Sequence, residues 1–142
     1  ISGHAEIAGD HKITNLFDYS NATYYAAEAD SQTNYFECHF IKTKIDLSSY
    51  QIKSAPGGPN SAHPKTWEIK GSNDQKQWDI LDRRENCSDL NGESITKHYI
   101  CQQPTHKKYQ FIRFYVLDTY NSEYQYTLYF SRFELYGDIC ST

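Results

Sequence analysis

Residues 107–117 read KKYQFIRFYVL, a run of aromatic and β-branched residues broken only by isolated polar ones. Alternation places Ile112, Phe114 and Val116 on one side. A segment of this kind is a strand with one face buried. The same texture returns along the chain. Residues 126–136, YTLYFSRFELY, form a second long strand in which Phe133 and Leu135 share a face, with Gly137 expected to end it. In the middle, Trp67 and Ile69 point inward from residues 66–70. Residues 71–75 (GSNDQ) carry turn chemistry, and Trp78 and Ile80 are expected to point inward from residues 77–81. Upstream, residues 34–41 put Phe36, Cys38 and Phe40 together, and residues 44–53 turn Tyr50 and Ile52 inward. Residues 95–101 and 4–8 complete a set of about eight strands. Residues 22–30 have room for one short helical turn and nothing longer. Many short strands separated by turn clusters define an all-β chain, an eight-stranded antiparallel jelly-roll β-sandwich.

With 142 residues the chain suits one domain, taken as 1–142. A chain of this size buries roughly 68–70% of its unfolded surface, so its core needs no staple. Aromatics make up 15%, with thirteen Tyr and seven Phe, which argues against disorder. No apolar run approaches the roughly 20 residues of a membrane-spanning helix. A net charge of −4 leaves no electrostatic footprint for nucleic acid. The chain contains no Met, as expected of a domain cut from a longer protein. Cys38, Cys87, Cys101 and Cys140 include no C-x-x-C pair, and two disulfides or four free thiols both fit. The acceptor sequons Asn21-Ala22-Thr23 and Asn86-Cys87-Ser88 matter only in an exported protein.

Connection lengths point to where binding lives. If consecutive strands run antiparallel, the long connections near 9–33, 54–64, 83–94 and 118–125 all fall at one end. The short ones near 42–44, 73–76 and 102–106 fall at the other. Long loops on a rigid sandwich are the usual binding surface.

The stretch 64–74, PKTWEIKGSND, followed by Trp78, resembles the middle signature of discoidin domains, also called coagulation-factor 5/8 type C domains. Residues 111–114 (FIRF) and 132–137 (RFELYG) are similar to that family's last two strands. Residues 15–18 (NLFD), with Thr23 and Tyr24, are similar to its first loop. The run 82–92, DRRENCSDLNG, resembles a narrower branch of protist proteins, often joined to BTB-type interaction domains inside cells. The resemblance implies a galactose-binding-like jelly roll, no catalysis, and loops at one end that bind sugars, phospholipids or proteins. Cys140 has no partner near residue 1, unlike secreted members that tie their ends together.

No G-x-S-x-G, P-loop or H-E-x-x-H motif occurs, and no His pairs with another His or a Cys at zinc spacing. The chain is therefore read as a non-enzyme. Candidate ligand-binding residues are those of the long loops. Tyr120 and Tyr124 offer stacking faces, and Asn121 and Glu123 offer hydrogen bonds to sugar hydroxyls. Asn60 and His63 sit on a loop stiffened by Pro56, Pro59 and Pro64, although His63 is equally suited to hold its own backbone. Tyr24 and Arg84 complete the set. Asp18, Asn21 and Thr23 supply hard oxygen ligands within one loop. The resemblance adds Glu134 as a fourth ligand to a structural calcium, the one inorganic group allowed here; no other cofactor is implied. The long loops hold no Trp and few basic residues (Lys12, Arg83, Arg84), which speaks against docking on a membrane. The reading is a protein-interaction module, with an intracellular setting slightly favoured over secretion. The alternative is a lectin-like carbohydrate-binding module.

Overall fold

The computed structural model describes residues 2–3 and 25–141. Ten strands run through them: β1 (Ser2–Gly3), β2 (Tyr25–Ala27), β3 (Tyr35–His39), β4 (Thr43–Lys53), β5 (Pro64–Ser72), β6 (Asp79–Arg84), β7 (Thr96–Ile100), β8 (Phe111–Thr119), β9 (Leu128–Phe130) and β10 (Arg132–Ser141). A single 3-10 turn, Ser122–Tyr124, is the sole helical element among the described residues. One sheet has the order β1-β3-β8-β5-β6 and another β10-β4-β7, with β2 and β9 forming a small third sheet. Every pairing is antiparallel. The all-β sandwich is thus as expected. The expected strand over 4–8 lies outside the described residues. The turn expected over 22–30 does not form in its described part: Tyr25–Ala27 is a strand and residues 28–30 are irregular.

The core is aromatic because the two main sheets face each other through large rings. Trp67, Tyr50, Phe36, Phe114 and Phe130 are all fully buried. Phe114 stacks on Phe133 at 5.2 Å and meets Phe130 edge-on at 5.4 Å. Edge-to-face and offset contacts suit ring quadrupoles. Ile112, Phe114 and Val116 share the buried face as expected.

Three expectations fail where the ladder is irregular. Ile80 is 39% exposed, and Leu81 is buried instead. The β5–β6 register slips between Ile69 and Lys70, so Ile69 faces Asp82 while Lys70 faces Ile80. A bulge of this kind adds one residue and reverses the alternation beyond it. Trp78 precedes the strand and folds onto the outer sheet face, 4.1 Å from the Arg113 guanidinium. It is not a core anchor. Gly137 does not end its strand: β10 continues to Ser141 through a bulge at Tyr136/Gly137. A Cβ at Gly137 would lie 2.1 Å from the Asp46 carbonyl oxygen, so the crossing needs glycine.

The same slip explains a buried carboxylate. Asp82 faces inward, fully buried, and accepts hydrogen bonds from the Tyr50 hydroxyl, the Gln102 N–H and Arg84 Nε. Trp67 Nε1 donates to the Tyr50 hydroxyl at 2.9 Å. Burial, then the Asp82 bond, pushes the Tyr50 phenol well above its ordinary value. Arg113 pairs with Glu37 at 2.8 Å. All four cysteines are free thiols.

Candidate functional site

Three of the four long loops meet at one end; the one near 9–33 lies mostly outside the described residues. The Tyr120 N–H donates to the His63 carbonyl (3.1 Å), and its hydroxyl donates to the Cys87 carbonyl (3.1 Å). The Asn60 N–H donates to Asn91 Oδ1 (2.8 Å). Ser54 Oγ donates to the Gly92 carbonyl (2.7 Å), and the Ser94 N–H to that of Ala55 (3.1 Å). The loops after β4, β6 and β8 are therefore one interlocked surface. At the opposite end the short connections bond one another: the Gln110 N–H donates to Asn73 Oδ1 (2.9 Å), and Asn73 Nδ2 to the Lys108 carbonyl (3.0 Å). Alternation of strand direction predicts this separation.

The structure divides the candidate residues. Tyr24, Asp18, Asn21 and Thr23 lie outside the described residues. His63 is fully buried. Its Nε2 faces the carbonyls of Gly57 (2.7 Å) and Gly58 (3.0 Å), so it donates there and holds its own loop. Asn60 is exposed and in the left-handed region, at φ 67°. Arg84 bonds Asp82 and the Ile100 carbonyl and lies over the Tyr99 ring. Burial lowers its pKa, but the Asp82 hydrogen bond and charge outweigh that and raise it overall. Glu134 is engaged by Tyr136, whose hydroxyl donates to it, and by Arg132 at 3.9 Å.

Tyr120 and Tyr124 do not act as a pair. Tyr120 is half-buried, tied to Cys87 and covered by Lys65 at 5.2 Å. Burial raises its phenol pKa above the ordinary value. Tyr124 is 41% exposed. Asn121 caps the turn that carries it, its Oδ1 accepting from the Glu123 N–H at 3.2 Å.

Beside that turn lies a hollow of about 390 Å³. One wall is 122–127, which includes Glu123, Tyr124, Tyr126 and Thr127; the other is Glu28, Ala29 and Asp30, just past β2. Sequence reasoning missed Glu28, Asp30, Tyr126 and Thr127 as a site. They become neighbours only because β2 pairs with β9, with Ala27 opposite Leu128. Asp30 is held below the usual carboxylate range by the Gln32 N–H and the Thr33 hydroxyl, so it stays ionised. Among the described residues, no three His, Cys, Asp or Glu side chains gather to hold a metal ion.

Fold and site together define a non-catalytic binding domain on a galactose-binding-like sandwich. The family model of Sad1 / UNC-like C-terminal domains matches residues 10–139, and the chain belongs to that family. Among solved structures, the chain is similar to a family 89 glycoside hydrolase from Clostridium perfringens, at TM-score 0.67 and 14% identity. That match covers 97% of this chain and 14% of the enzyme, so the chain spans a small part of that protein. CBM32-3 from a family 31 glycoside hydrolase of the same organism matches at TM-score 0.68 and 14% identity, over 94% of this chain and 86% of that one. An F5/8 type C domain from Bacteroides fragilis matches at TM-score 0.67 and 12% identity, over 92% and 83%. No curated protein matches the sequence. The discoidin resemblance therefore holds at the level of fold. Several of the residues that carried it, including Trp67, Ile69, Ile112 and Phe114, are fully buried. They specify packing, which related folds share.

Proposed function

We propose that this domain binds a protein partner through the end where its long loops interlock, centred on the hollow beside residues 122–127. The observation that carries this reading is the hollow itself, walled by an exposed Tyr124 and set against loops held by hydrogen bonds. A surface that is already ordered loses less entropy on binding. Membership of the Sad1/UNC-like family supports a protein as the partner. The test is capture on immobilised domain, wild type beside Tyr124→Ala. A partner retained by the first and lost by the second supports the reading. Retention by both variants would move the site elsewhere.

A second reading is a carbohydrate-binding module. A hollow with aromatic rings and several hydroxyl and carboxylate groups suits a sugar. The likeness to the glycoside-hydrolase modules supports it at the level of fold. A structural calcium held by Asp18, Asn21 and Thr23 belongs to this reading. Glu134 is a poor fourth ligand, since its carboxylate already serves Tyr136 and Arg132. A glycan array probed with calcium and then with chelator separates the two readings. A hit lost in Tyr124→Ala would favour the sugar, and a blank array from folded domain would favour the protein.

A further inference from the structure

Neither reading above uses residues 86–88, Asn-Cys-Ser, an N-glycosylation sequon in the loop after β6. The other sequon, at residues 21–23, lies outside the described residues. At 86–88 the side chains are arranged as an acceptor requires. Asn86 and Ser88 are exposed, while Cys87 between them turns in, its thiol 4.0 Å from the Tyr99 hydroxyl. The two residues that define the sequon face water together, and the one it leaves open faces the domain.

A second observation concerns hydrogen bonds. Among the described residues, Asn34, Asn60, Asn73, Asn91 and Asn121 each use the side-chain amide group in a hydrogen bond, and Asn86 does not. The Ser88 hydroxyl is likewise without a partner among the described residues. The backbone beneath them is held instead. The Asn86 N–H donates to Thr66 Oγ1 (3.1 Å) and the Cys87 N–H to the Lys65 carbonyl (2.8 Å). The Ser88 carbonyl accepts from the Asn91 N–H (3.1 Å). Asn86 sits in the left-handed region, at φ 48°, which Asn visits more readily than most residues. That conformation accounts for an Asn at 86 but asks nothing of residue 88.

We propose that Asn86 accepts an N-linked oligosaccharide when the chain is made into a secretory lumen. The donor is a lipid-linked pyrophosphate oligosaccharide. The bond from Asn86 Nδ2 to the sugar C1 forms as the C1–O bond breaks. The lipid pyrophosphate leaves with the electron pair, and the amide loses one proton. Because the Tyr120 hydroxyl donates to the Cys87 carbonyl, the glycan stands at the long-loop end. The proposal depends on neither the protein-partner nor the carbohydrate reading.

The test directs the full chain into the secretory pathway of insect cells with an added signal peptide. An Asn21→Gln background makes any glycan report on Asn86. Lysate and medium are pooled, and the tryptic peptide 85–97 is read by mass spectrometry before and after peptide N-glycosidase. Glycan is expected on most copies of that peptide, lost in Ser88→Ala and retained in Ser88→Thr. Ser88→Ala leaves Asn86 and its turn in place, and near-UV circular dichroism checks that the variant is folded. A bare 85–97 peptide overturns the proposal. So does a modification that persists in Ser88→Ala or resists the glycosidase.

Discussion

The outer face of the five-stranded sheet and the hollow beside residues 122–127 both combine charge with aromatic rings, and they use them in opposite ways. On the sheet, Arg113 lies 3.8 Å from the Tyr35 ring and 4.1 Å from that of Trp78, with Glu37 closing the pair. Lys70 covers Tyr115 at 4.7 Å. These cations are spent on neighbours within the domain. In the hollow, the exposed Glu28 and Glu123 have no such neighbours among the described residues. Charge paired with a neighbour builds structure on the sheet; the exposed carboxylates of the hollow are hydrated instead.

Substitutions sharpen the contrast, beginning with the largest effect. Trp67→Ala should cost about 3–5 kcal/mol in denaturant unfolding, because it empties a fully buried site. Asp82→Ala should cost about 3 kcal/mol, since it leaves the Arg84 guanidinium and the Tyr50 hydroxyl without their shared acceptor. Trp78→Ala should cost less, about 1–2 kcal/mol, because it removes a ring from an outer-face cation rather than from the core. A Trp78 loss as large as that of Trp67 would contradict the outer-face placement. Tyr120→Phe should cost about 1 kcal/mol through the lost bond to the Cys87 carbonyl. Tyr124→Ala should change stability by no more than about 0.5 kcal/mol while abolishing capture. The contrast collapses if Tyr124→Ala unfolds the domain or leaves capture intact.

The smallest expected effect is on pH. Asp30 and Asp74 are both held below the ordinary value of 3.8, chiefly by backbone N–H donors of their own turns. A folded-state pKa below the unfolded one stabilises above that range, and the gain is lost as pH falls through it. Stability should therefore be insensitive to these groups near neutrality and decline below about pH 4, as read by urea midpoints. Asp74→Asn should flatten that decline. An unchanged acid slope would remove Asp74 from the account.

Much of the fold was legible in the chain itself. Alternation with a period of two places Ile112, Phe114 and Val116 on the core face without help from any other segment. Turn residues and connection lengths placed the long loops at one end. What failed was local: Ile80, Trp78 and Gly137 each stand at or beside an irregularity that strict alternation does not include. Of the candidate site residues, Tyr124 and Asn60 are exposed. His63 holds its own backbone, the alternative its loop left open, and Arg84 and Tyr120 are bound to their own neighbours.

Strand identity and core composition were thus determined by the sequence, because burial of alternate residues is written in nearest-neighbour order. The hollow was decided by tertiary structure alone. Glu28 and Glu123 are 95 positions apart, and the β2–β9 pairing carries their two segments to one cavity. Partnership of charge has the same origin. Glu37 meets Arg113 across β3 and β8, while Glu123 meets no cation among the described residues. No spacing in the chain distinguishes these two glutamates, since each depends on what a distant strand brings beside it.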